Sequence, residues 1–375
     1  MSGLGADPAR VYRPDAFLLP EGVVYMDGNS LGPLTRRGAE RLGETLSDWR
    51  RLAVGAWGDA AQPWYTWPEA LAARLGEHFL GAEQGEVAVT GQTTINLHQL
   101  LATFYRPHGE RTRIVVDALA FPTDRYAAEA ALARLDRPPT DLAVVPSRDG
   151  RTLEPADIAA AIDARTAVAV LPSVLYRSGQ LLDMASLARL SREAGAFLIL
   201  DLSHSVGIVP HQLDAWGVDA AVWCNYKYLS GGPGTVGGLY LARRHHGAMP
   251  ALAGWWGSDK ARQFAMADRM APAPGAGRMQ IGTPPVLSLA ALAGSLEVLT
   301  EVPIDTVRAA SLALTAHLMA RADSTLSSRR KHMTSSVSGP PCARAASWAR
   351  RIPVTTVAKG TPLAVCACGS KKSSA

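Results

Sequence analysis

Residues 1–322 hold two lysines, Lys227 and Lys260, in a chain that otherwise takes arginine for its cations. Lys227 follows an apolar run and precedes a glycine-rich turn, in Val222-Trp-Cys-Asn-Tyr-Lys-Tyr-Leu-Ser-Gly-Gly-Pro-Gly234. Lysine can lose its proton and attack a carbonyl as an amine, which arginine does not do. Two readings follow: a cation snorkelling from a strand end, or a Schiff-base lysine.

Three other stretches suit a phosphate-bearing aldehyde, pyridoxal phosphate. Thr93 and Thr94 follow Gly91 at the start of a helical pattern. Free N–H groups and the positive end of the helix dipole favour an anion there, although threonine at a helix start also acts as a plain cap. Phe121-Pro122-Thr123-Asp124 offers a flat ring to stack on a pyridine with a carboxylate beside it, or a loop that caps the next helix. Leu198-Ile-Leu-Asp201 ends an apolar run with a carboxylate, and His204 follows three residues later. A carboxylate at such a strand mouth needs a cation, which a pyridinium N–H supplies while keeping the ring an electron sink. His204 reads either as a partner to this site or as an ordinary loop histidine.

The elements that must position these residues alternate. Strand patterns at 86–89, 113–116, 142–145, 167–171, 197–200, 220–224 and 238–242 are separated by helical patterns at 69–80, 93–105, 124–135, 155–163, 184–194 and 213–216. Such alternation predicts an α/β fold with a mostly parallel sheet covered on both faces, with ligands beyond the carboxyl ends of the strands. We expect an N-terminal arm over 1–35, with a short strand and turn at Tyr25–Gly32, and a large domain over 36–285. Residues 286–322 then read as an interdomain helix and the start of a small domain, with helices at 286–299 and 306–321. From Ser324 the periodicity collapses, so 323–375 reads as an aberrant tail, either low-complexity or translated from a shifted frame.

The formal charge of +5 conceals an asymmetry: nine cations and no acid follow Asp323, leaving −4 over residues 1–323. A mildly acidic body argues against nucleic-acid binding. No apolar run is long enough for a membrane span, and the N-terminus lacks a signal-peptide pattern. Four cysteines without metal-ligand spacing suggest a reducing, cytoplasmic setting and no metal site.

The motifs in order resemble kynureninase, a pyridoxal-phosphate enzyme of the aspartate-aminotransferase fold. The matching pieces are YMDGNSLG (25–32), TTINL (93–97), FPTD (121–124), DLSHSVG (201–207), WCNYKYLSGGPG (223–234), GWWG (254–257) and GTPP (282–285), within about residues 12–322. The resemblance implies a transferase-like large domain that binds pyridoxal phosphate, plus an incomplete small domain. Lys227 would carry the cofactor, Asp201 would pair with its ring nitrogen, and Phe121 would stack on it with Asp124 near. Thr93, Thr94, Tyr226 and His204 would hold phosphate and ring, while Trp255 and Thr283 would reach the cofactor from the second subunit of a homodimer. The implied reaction is hydrolysis of L-kynurenine, or its 3-hydroxy form, to anthranilate or 3-hydroxyanthranilate plus L-alanine, with Tyr226 a proton donor. The family's arginine for the substrate α-carboxylate has no match in 324–375, so the substrate site is expected to be incomplete. Alternatives are a cysteine desulfurase or aminotransferase of the same fold, or a non-catalytic product in which the helix face at 287–299 is left uncovered.

Overall fold

The computed structural model describes residues 11 and 13–335. Strands β1 (Phe17–Leu18) and β2 (Leu34–Thr35) pair antiparallel ahead of α1 (Arg36–Leu52), α2 (Ala56–Asp59) and α3 (Trp67–Leu75). The main sheet then alternates with helices: β3 (Val87–Val89), α4 (Thr93–Phe104), β4 (Arg113–Asp117), α5 (Pro122–Arg134), β5 (Leu142–Val145), α6 (Pro155–Ala161), β6 (Thr166–Pro172) and α7 (Met184–Ala194). It continues through β7 (Phe197–Asp201), α8 (Leu213–Trp216), β8 (Ala220–Trp223) and β9 (Gly238–Leu241), followed by α9 (Val286–Leu299) and α10 (Ile304–Ser335).

Seven strands lie in the order β3-β9-β8-β7-β6-β4-β5. Strand β9 runs antiparallel to both neighbours, and every other pairing is parallel. The near-continuous apolar strands are explained by burial on both faces. Alternate residues of β8 serve opposite faces: Ala221 and Trp223 belong to the same core cluster as Leu71, Leu187 and Leu292, while Ala220 and Val222 belong to the one with Leu97, Leu100 and Leu132. After β4 the chain adds β5 on one side and β6 on the other, and such a reversal opens a crevice at the strand ends. Asp117, Asp201 and the segment after Trp223 all arrive at that edge.

Several expectations need correction. Tyr25–Gly32 contains a turn but no strand: Val24 and Met26 are exposed, and the turn is closed by Ser30 and Leu31 N–H groups donating to Asp27 O. Helix α5 starts at Pro122 instead of Asp124, because proline's fixed φ suits a first helical position. The helix face at 287–299 is largely covered, with Leu289, Leu292 and Leu296 fully buried and only Leu287 substantially exposed. Helix α10 continues to Ser335 past the loss of periodicity, since a helix needs no apolar period and no glycine or proline occurs between Ile304 and Gly339. Residues 336–375, which carry most of the expected tail, lie outside the described residues. The chain divides into compact units at Ala316–His317.

Trp223, fully buried, is accommodated because its indole crosses Gly238 of the neighbouring strand, where a Cβ would overlap the ring. Gly238→Ala is therefore expected to lower stability by about 2 kcal/mol through overpacking, measured by urea unfolding; an unchanged midpoint would show that the ring has room to move.

Candidate active site

The segment after β8 turns sharply, and the turn is fixed from three sides. Trp223 Nε1 donates to Asn225 Oδ1 at 2.8 Å, while Asn225 Nδ2 donates to Val236 O at 2.7 Å. Ser230 N donates to Lys227 O at 2.9 Å, with Ser230 itself in the left-handed region at φ 51°. Its carbonyl accepts from Ser295 Oγ of α9 at 2.7 Å, and Ser295 Oγ lies 3.0 Å from Thr35 Oγ1. From the other side Gly32 N donates to Tyr226 O at 2.8 Å. Gly32 lies so close that a Cβ there would overlap Lys227 O. The Gly-rich N-terminal turn thus supports the backbone that presents Lys227.

The Lys227 side chain emerges into a cavity of about 340 Å³ at the carboxyl ends of the strands. Its Nζ lies 2.9 Å from His204 Nε2, 5.8 Å from the centre of the Phe121 ring and 5.9 Å from that of Tyr226. Burial, reinforced by the Lys227 charge, pushes His204 down to about 4, so its Nε2 is a neutral acceptor for a Lys227 N–H. Asp201 Oδ1 accepts from Ser203 N at 2.8 Å. Asp124 is fully buried, and neither of its carboxylate oxygens has a hydrogen-bond partner. Its carboxyl is held well above the usual range by burial first and then by the Asp201 charge. Burial also raises the Tyr226 phenol above 10.

Of the residues singled out in the sequence, Thr93, Thr94, Phe121, Thr123, Asp124, Asp201, His204, Tyr226 and Lys227 line this cavity. Pro122 does not; it occupies the first turn of α5. Trp255 and Thr283 are not brought to it either. Trp255 is 42% exposed and packs edge-on against Trp256 and Phe264, and Thr283 is exposed in a separate cleft beside Gly91 and Asn96. The sequence reading missed Gln92, Ser203, Cys224, Thr235 and Gly237, which also line the cavity. It also missed Tyr176, whose ring meets those of Phe121 at 5.5 Å and His204 at 6.2 Å. Ser203 and Cys224 stood inside recognised motifs, whereas nothing in the local pattern marked Tyr176.

These groups fit pyridoxal phosphate. The start of α4 carries two hydroxyls, and its cap residue Gln92 makes no side-chain hydrogen bond to the first turn, leaving donors for a phosphate. The same cavity holds Asp201 and the unpartnered Asp124 carboxyl, groups that a ring N–H would satisfy. Phe121 supplies a flat face and Lys227 the amine.

A family model for class-V aminotransferases matches residues 71–336. The cysteine desulfurase CsdA of Escherichia coli shares the fold at TM-score 0.67 and 18% identity, covering 80% of this chain and 73% of that one. A cystine C-S lyase does so at TM-score 0.66 and 19% identity, covering 75% and 73%; a mutant of it carries glycine linked to its pyridoxal-phosphate cofactor. Fold and site define a pyridoxal-phosphate enzyme of the class-V aminotransferase type. Kynureninase from Geobacillus thermodenitrificans is 49% identical over 84% of this chain and 73% of its own length. The Bacillus anthracis enzyme is 46% identical over 81% and 71%. The chain belongs to the kynureninase family.

Two outcomes test the site. Gly32→Ala should displace the Lys227 turn and weaken cofactor binding about tenfold or more, read by spectral titration of the cofactor-free chain; wild-type affinity would contradict the contact. His204 and the fully buried His211, also pushed down to about 4 by burial, titrate at 6.5 when free. The unfolded chain therefore binds more protons between these values, and stability is lost as pH falls from 6.5 toward 4. Melting temperatures should drop across that window, with a shallower drop in His204→Gln; equal slopes would remove His204 from the account.

Proposed function

We propose that this chain hydrolyses the Cβ–Cγ bond of L-kynurenine, or of its 3-hydroxy form, giving anthranilate or 3-hydroxyanthranilate and L-alanine in tryptophan catabolism. The observation that carries the reading is the Lys227–His204 contact facing Asp124 and Asp201 in one cavity, in a chain of this family. Pyridoxal phosphate supplies an electron sink that makes bonds to the substrate's α- and β-carbons labile.

The residues divide the remaining work. Lys227 Nζ takes the Cα proton, and neutral His204 receives one of its N–H groups so that the lone pair can face the substrate. Asp201 and Asp124 would hold the ring nitrogen. Thr93 and Thr94 would hold the phosphate, and the half-exposed Phe121 would cover the ring. Tyr226, kept protonated by burial, gives a proton to the β-carbon as it becomes the methyl group of alanine. Water contributes its oxygen to the new carboxylate of anthranilate.

A cytoplasmic homodimer forms part of the proposal. The exposed Trp255 and Thr283 are where a second copy would receive them at its own cofactor. No single helix among the described residues is long and apolar enough to cross a membrane. A desulfurase reading is less well supported, because it needs a mobile cysteine. Cys224, the one cysteine among the described residues, is buried with its Sγ 2.9 Å from Thr93 Oγ1.

The test is to mix the purified chain with pyridoxal phosphate and L-kynurenine and follow anthranilate and alanine in equal amounts. Tyr226→Phe should retain cofactor yet lower kcat by about 10²–10⁴. Absence of both products from the wild-type chain would overturn the proposal.

A further inference from the structure

The connection after β6 carries an aromatic side chain to which the reaction gives no task. Tyr176 is half-buried in a turn between Pro172 and Gln180. That connection is firmly held: Ser173 N donates to Asp201 O at 2.9 Å, Leu175 N to Gln180 O at 2.9 Å and Gly179 N to Leu175 O at 2.8 Å. Leu175 is fully buried, and Gln180 exchanges hydrogen bonds with the Leu153 backbone. Arg177 Nε donates to Tyr176 Oη at 2.7 Å, with its guanidinium carbon 5.2 Å from the ring centre.

The Tyr176 ring reaches two groups of the site that come from different elements. It meets the Phe121 ring edge-on, with 5.5 Å between centres and 81° between planes, and the His204 ring at 6.2 Å and 33°. Both separations are those of packed aromatic pairs. Each of the two groups needs outside support. Phe121 precedes α5 with its ring half exposed, and Tyr176 is its aromatic neighbour among the described residues. His204 has one side-chain hydrogen bond among the described residues, Nε2 with Lys227 Nζ, so no protein group there holds its Nδ1. An imidazole is ordinarily oriented by the hydrogen bond of its second nitrogen, and here a packed ring takes that part. Turning the imidazole would carry Nε2 away from Lys227.

We propose that Tyr176 is a positioning residue that sets Phe121 and His204 together, one ring holding both the cover of the cofactor ring and the acceptor beside Lys227. The inference rests on the reading that gives Phe121 and His204 those tasks. The ring is the part that acts, while the hydroxyl accepts from Arg177.

The experiment follows His204 by NMR in the cofactor-free chain with labelled histidine rings, for wild type, Tyr176→Ala and Tyr176→Phe; His204→Gln identifies the signal. The ionisable groups around His204 are Lys227 and Asp201, with Asp124, Cys224 and Tyr226 in the same cavity, and none of these is altered. Removing the Tyr176 ring admits water and relieves the burial that holds the imidazole at about 4. Its titration should therefore move from about 4 toward 6.5 in Tyr176→Ala and stay in place in Tyr176→Phe. Spectral titration with pyridoxal phosphate should show about tenfold weaker binding in Tyr176→Ala and wild-type affinity in Tyr176→Phe. An unmoved His204 titration or an unchanged affinity in Tyr176→Ala overturns the proposal and leaves the cofactor site standing. A Tyr176→Phe variant that behaves like Tyr176→Ala also overturns it, since the hydroxyl would then be responsible. A wild-type chain that binds no pyridoxal phosphate overturns the reading of the site, and the proposal with it. A measurement on the unaltered chain guards against misfolded variants: Tyr176 ring protons should show nuclear Overhauser contacts to both the Phe121 and His204 rings. Absence of either contact overturns the proposal.

Discussion

The structure depends on a buried carboxyl that the protein's own groups leave without a hydrogen bond. Asp124 and Asp201 share one cavity with the Lys227 side chain, and Asp124 is buried without a hydrogen bond. A third carboxyl, Asp117 at the end of β4, is raised by burial to about 6 and adds to the negative surroundings of Asp124. Burying unpaired carboxylates is unfavourable unless a cation or donor meets them. A protonated pyridine nitrogen would meet that need. The neutral state of His204 belongs to the same balance, because a second cation beside Lys227 would oppose it.

Much of this was legible in the sequence because strand-end chemistry leaves a local trace. Asp201 closes an apolar strand, Lys227 follows one, and Phe121 and Asp124 open a helix after another; parallel topology then brings these ends together. Lys227 stood out because the chain so seldom uses lysine. The second rare lysine has a different explanation. Lys260 Nζ lies 4.2 Å and 4.4 Å from the centres of the Tyr65 and Trp256 rings and 3.3 Å from Glu69, a space that suits a compact ammonium better than a wide guanidinium fork.

What the sequence concealed was long-range. The contact of Gly32 with the Lys227 backbone joins residues almost two hundred positions apart, and in the sequence Gly32 is one turn glycine among many. The Thr35–Ser295–Ser230 connection involves three small polar residues that carry no signal singly. Tyr176 enters from the connection after β6, where pattern alone marks no ligand. The boundary of α10 was misjudged for the opposite reason: apolar period tracks burial, and a helix can outlast it.

The account stands or falls on Lys227 as the point of covalent attachment. The most direct measurement is to load the chain with pyridoxal phosphate, reduce it with borohydride, digest it and locate the pyridoxyl mass. The account predicts that mass on the peptide containing Lys227. Labelling of Lys260 in its place, or the absence of any lysine adduct, would contradict it.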